Sequence, residues 1–184
     1  MRWDGLFADL EGQLAAEERR ELDSEVAERT RRERALVDLA GRLAAAGAQL
    51  TLTLDGGMCA AGTVADLGTD WVLLRAGAGA VAGREVLVPL VGVLSIEALG
   101  GQSAQARTAR RFGLGYALRA LARDRATVAV TLRGGSSVIG TIDTVGADHF
   151  DLAEHHEGEL RRRENVRRTL TLPFAALVSI ESRR

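Results

Sequence analysis

A chain of 184 residues with 46% hydrophobic and 27% charged side chains can bury two small cores, which excludes disorder throughout. One cysteine, Cys59, excludes an internal disulfide, and no apolar run reaches the roughly 18 residues of a membrane span, so the cytoplasm is the expected location. The net charge of −1 hides an asymmetry: 10 arginines face 16 acidic residues through Glu97, a net −6, whereas 14 face 9 from Ala98 onward, a net +5. Halves of opposite sign can attract each other, within or between chains, or offer one basic face to a polyanion.

In chain order, Trp3, Leu6, Phe7, Leu10 and Leu14 recur at helical three- and four-residue spacing and predict one narrow apolar stripe that needs a partner surface. Glu17 to Arg34 is almost all charge and predicts a solvated helix, with Glu25/Arg29 and Glu28/Arg32 set for i,i+4 pairs. Asp23 or Ser24 is placed to cap a second helix through Leu36, Leu39 and Leu43, ending near Gly47. A helical hairpin or one long kinked helix fits residues 1–48.

Leu50, Leu52 and Leu54 alternate with Thr51 and Thr53, the period of a half-buried strand, and Asp55-Gly56-Gly57 supplies a turn. Gly62 falls inside the second strand, where a missing side chain permits a bend or bulge. Strands follow at Trp71 to Leu74, Glu85 to Val88 and Val93 to Glu97, with one helical turn opened by Pro89. This whole pattern then recurs. At an offset of 78, Leu52 to Gly57 lies over Val130 to Gly135, Gly62-Thr63-Val64 over Gly140-Thr141-Ile142, and Gly68 to Asp70 over Gly146 to Asp148. After a longer loop the offset is 84, and Pro89 to Glu97 lies over Pro173 to Glu181. Leu36 and Leu43 match Leu114 and Leu121, predicting a helix over Phe112 to Arg123. The predicted fold is therefore α+β: an N-terminal helical segment (1–48), a five-stranded small β-barrel (49–98), a linker and helix (99–125), and a second such barrel (126–184).

Five strands in a meander, a Gly-bent second strand and a one-turn helix before the last strand resemble the small barrels of the Sm-like and Src-homology-type class. Val130 to Gly135 followed by Gly140-Thr141-Ile142 is similar to the first Sm motif. Sm-type rings hold single-stranded RNA with an Asp and an Asn after the second strand. Here those places carry Gly146 and Phe150 in one copy and Gly68 and Val72 in the other, so the resemblance implies the barrel and not that RNA contact. The whole chain, opening Met1-Arg2-Trp3-Asp4-Gly5-Leu6-Phe7-Ala8-Asp9-Leu10, is also similar to uncharacterised actinobacterial proteins, some labelled Fis-family transcriptional regulators. A Fis-type factor would end in a helix-turn-helix, whereas this C-terminus reads as strands.

The loop from Ala153 to Thr169 is longer than its counterpart and carries Arg161, Arg162, Arg163, Arg167 and Arg168; Arg110 and Arg111 lie in the linker. Clustered arginines suit phosphates. Interleaved Glu154, Glu157, Glu159 and Glu164 and the lack of an aromatic suit a protein-facing or solvated loop instead. Adjacent His155 and His156 point to opposite faces of a strand and are poorly placed to clamp one ion. No nucleophile with a base, pair of acids or phosphate loop stands out, so no enzyme activity, cofactor, metal or small-molecule substrate is expected. The reading is a non-enzymatic interaction or adaptor module that associates with itself or a protein partner and not with membranes. The alternative is a nucleic-acid-binding regulatory protein using the arginine loop.

Overall fold

In the computed structural model the described residues are 2–77, 84–102 and 112–183, without the side chains of residues 2–12, 14 and 15. Two compact units divide the chain, Met1–Asp38 and Leu39–Arg184. The first holds one helix, α1 (Arg2–Ala35), whose surface from Glu17 onward is almost wholly exposed. α1 runs straight through Asp23 and Ser24, where a new helix start was expected. Propensity costs of a few tenths of a kcal/mol for such residues are offset by ion pairs one turn apart, Arg29–Glu33 at 3.1 Å and Arg32–Glu28 at 3.2 Å. Arg29 thus pairs forward to Glu33 and not back to Glu25. The helix stops at Leu36–Asp38, and Asp38 precedes α2 (Leu39–Ala44), a position that favours short acidic side chains.

The second unit continues with β1 (Leu50–Leu54), β2 (Cys59–Leu67), β3 (Trp71–Arg75), β4 (Glu85–Pro89) and β5 (Val93–Glu97). Helix α3 (Leu114–Arg123) leads into β6 (Thr127–Leu132), β7 (Ser137–Val145), β8 (His149–Glu154), β9 (Arg168–Pro173) and β10 (Leu177–Arg183). A single turn of 3-10 helix precedes β5 and β10, with Pro89 and Pro173 capping these turns from outside. The Asp55-Gly56-Gly57 turn and its counterpart need glycine: Gly56, Gly57, Gly134 and Gly135 all have φ between 76° and 84°.

The duplication is visible strand by strand. Within each repeat the last strand returns beside the first, giving β5-β1-β2-β3-β4 and β10-β6-β7-β8-β9, all antiparallel. A bulge sits at matching places, Val64/Asp66 and Ile142/Thr144. Upstream of each bulge a glycine is required by close approach: a Cβ on Gly62 would lie 2.5 Å from the Arg75 carbonyl oxygen, and one on Gly140 2.2 Å from that of Ala153. The ten strands nevertheless run on as one open sheet, because β4 pairs with β10 through Leu87↔Ile180 and Val86↔Glu181. Its two outer edges are β5 and β9.

The two cores interlock at that seam. Val178, from the second repeat, packs in the first core with Val72 and Val88. Trp71 and Leu87, from the first repeat, pack in the second core with Leu114, Leu118 and Ile180. Asp70 of the first repeat accepts the Leu114 backbone N–H at 2.7 Å, satisfying one of the orphan amides at the start of α3, and Trp71 Nε1–H donates to the Phe112 carbonyl at 3.0 Å.

Candidate functional site

The seam between the repeats combines backbone pairing, apolar burial and charge. Leu87 and Ile180 face each other across it and are both buried. At its border Arg84 donates to Glu181 at 3.1 Å, and Arg133 lies 3.5 Å from Asp55. Both pairs join an acidic residue to an arginine across the repeats; Asp55–Arg133 follows the charge asymmetry seen in composition, and Arg84–Glu181 runs against it.

The outer edges, β5 and β9, occupy the matching places with no strand beyond them among the described residues. Offset 84 matches β4 to β9 and β5 to β10, so Leu94 is the counterpart of Val178, Ile96 of Ile180 and Glu97 of Glu181. Val178 is 0% exposed and Leu94 67% exposed. Val91, in the turn before β5, is also exposed. On the opposite edge, Arg168 is the counterpart of Arg84 and Pro173 of Pro89. One face of β9 and β8 is polar where β4 and β3 are apolar: Thr171, Asp151 and His149 stand where Leu87, Leu73 and Trp71 stand in the first repeat. There Asp151 accepts hydrogen bonds from the Thr144 hydroxyl at 2.5 Å and the Thr171 hydroxyl at 2.6 Å, and these hold its carboxyl below the usual range. His149 Nδ1–H donates to Asp148 at 2.8 Å and lowers that carboxyl in the same way.

The arginine loop is less uniformly basic than its sequence. Arg161 makes a two-pronged contact with Asp143, at 2.8 and 2.5 Å, which raises the guanidinium further above its usual range. Arg168 is held by Glu154. Arg162, Arg163 and Arg167 are exposed, and no carboxylate partner holds them among the described residues. Arg110 and Arg111 lie outside the described residues. The stripe residues Trp3, Leu6, Phe7, Leu10 and Leu14 fall on α1, their side chains outside the described set.

Two features escaped sequence reasoning. His155, read as a loop residue beside His156, is 2% exposed. Its Nδ1–H donates to the His156 carbonyl at 2.9 Å, so Nε2 accepts from the Thr141 hydroxyl at 2.9 Å, and the ring is fully used as a structural bridge. A cleft of about 180 Å³ lies between α3 and the seam, floored by Trp71, Leu87 and Ile180 and edged by Asp66, Glu85 and Asp124. Its only sequence signal is the apolar identity of Trp71, Leu73 and Leu87 against polar counterparts in the second repeat. Cys59 is exposed at the end of β2 that faces the seam.

No protein-family model matches the chain, and neither a curated protein nor a solved structure does so. Among the described residues no helix is long and apolar enough to cross a membrane.

Proposed function

We propose that the protein is a non-enzymatic interaction module that associates through the edges of its sheet, each five-strand half being a small-barrel unit of the Sm-like or Src-homology type. One observation carries this reading: the seam strands bury their apolar residues against each other, while the outer edge leaves the counterpart Leu94 in water. An unpaired edge with exposed apolar side chains is a template for another strand. A lone exposed thiol, Cys59, fits work in a reducing compartment such as the cytoplasm. Sedimentation velocity or light scattering over a wide concentration range tests the proposal. Reversible growth in mass is expected, and a monomer at every concentration overturns it.

A second reading rests on Arg162, Arg163 and Arg167, whose free guanidinium groups suit phosphate contacts. Fluorescence binding to RNA and DNA across a salt series tests it. Affinity that falls with salt and is lost when these three become Ala supports it, and no binding at low salt overturns it.

A further inference from the structure

Resting on the self-association reading, the structure assigns a specific partner and geometry: a second copy of this chain, joined head to tail, with β9 of one copy pairing with β5 of the next. The argument is that the molecule already contains one such joint. At the seam, a fourth strand of one repeat (β4) pairs antiparallel with the fifth strand of the other (β10). The strands left open are again one fourth strand, β9, and one fifth strand, β5. Repeating the same step with a new chain brings those two together, whereas pairing β5 with β5 or β9 with β9 would need a joint that the molecule does not contain.

Charge follows the same operator. The seam pair Arg84–Glu181 has Arg168 and Glu97 as counterparts, so the β9–β5 joint also places an arginine opposite a glutamate. Glu97 is exposed on its own chain, and Arg168 is held there by Glu154, a contact that the joint can extend to a second carboxylate. The turn pair Arg133–Asp55 recurs with its partners exchanged: Arg133 of one copy, already 3.5 Å from Asp55 of its own chain, comes beside Asp55 of the next, still opposite in sign. Leu94 takes the place of Val178 beside Phe150 and Leu172, the counterparts of Val72 and Val88; because the second core already buries both, the joint rests on backbone pairing and charge and not on filling an open core. Arg168 and Pro173 do not protect β9 from pairing, because β4 pairs with Arg84 and Pro89 in those same places. The joint is heterologous, so it closes into a ring or extends as a filament.

The seam register predicts the new one. Ile180↔Leu87 becomes Ile96↔Thr171, and Glu181↔Val86 becomes Glu97↔Leu170. In full-length chains carrying Cys59→Ala, Ile96→Cys and Thr171→Cys are introduced separately and oxidised alone and as an equimolar mixture. A covalent dimer in the mixture and little in either variant alone is expected. In parallel, Glu97→Arg and Arg168→Glu should each weaken self-association by about tenfold, and the chain carrying both should recover to within about threefold of the parent. Growth in mass together with cross-links of Ile96→Cys to itself, or of Thr171→Cys to itself, overturns the head-to-tail geometry and leaves self-association standing. Growth in mass with no cross-link in any mixture and no recovery in the double charge variant likewise overturns this geometry alone. A monomer at every concentration overturns both.

Discussion

β10 and β5 are the same strand written twice, and their fates differ because of what stands beside them. Val178 and Leu94 occupy matching positions on similar sequences, LVSIE and VLSIE, yet one is sealed in a core and the other lies in water. At this one pair of positions burial is therefore set by the joint between repeats and not by either strand's own sequence. The second repeat supplies Val178 to the first core, whereas the second core buries Phe150 and Leu172 without a matching contribution from Leu94.

The sharpest way to test that contrast is to place a charge at each of the two positions. Val178→Asp puts an unpaired carboxylate into a closed core and should cost more than about 3 kcal/mol, up to loss of the fold; Leu94→Asp should stay within about 0.5 kcal/mol of the parent in urea unfolding. Equal losses at both sites would refute the asymmetry. Next in size is His155→Ala, which empties a buried site and strands the Thr141 hydroxyl and the His156 carbonyl. A loss of about 2–4 kcal/mol is expected, read from the denaturation midpoint. Gly62→Ala and Gly140→Ala test where the repeats agree, since each new methyl meets a carbonyl of the neighbouring strand. Both should destabilise by about 1–3 kcal/mol, and a tolerated variant would separate the copies. The smallest effect concerns Asp151, whose polar setting replaces the apolar Leu73. Its lowered carboxyl stabilises the fold fully above the ordinary carboxylate range, and this contribution is lost as pH falls through the lowered value. Thr144→Val should move the Asp151 titration midpoint upward by NMR; an unchanged midpoint would remove the hydroxyl as the cause.

Strand positions were legible because half-buried strands alternate and because the repeat checks each assignment against its copy: β5 was located from Val93 to Glu97 at both ends. The bend at Gly62 was legible for the same reason. The seam was not. It joins residues nearly a hundred positions apart, and nothing local distinguishes the strand that is covered from the one that is open. Leu87 reads as a core residue either way. Likewise the charge run in α1 predicted a solvated helix, while the choice between breaking at Asp23 and at Leu36 turned on pair energies too small to read from spacing. Arg161 looked like a free cation because Asp143, 18 residues earlier, reaches it only across the folded loop. His155 looked exposed because its burial depends on the end of β8 covering Thr141.

The exchange of side chains at the seam has a thermodynamic consequence. A core that borrows Val178 from the next repeat, and lends Leu87 and Trp71 to it, cannot melt by halves. Although the chain is a duplication, residues 39–184 should unfold in one transition, with coincident fluorescence and circular dichroism curves. A cut in the linker that separates the fragments should leave each half lacking part of its own interior. Gene duplication here has made two copies and one cooperative unit.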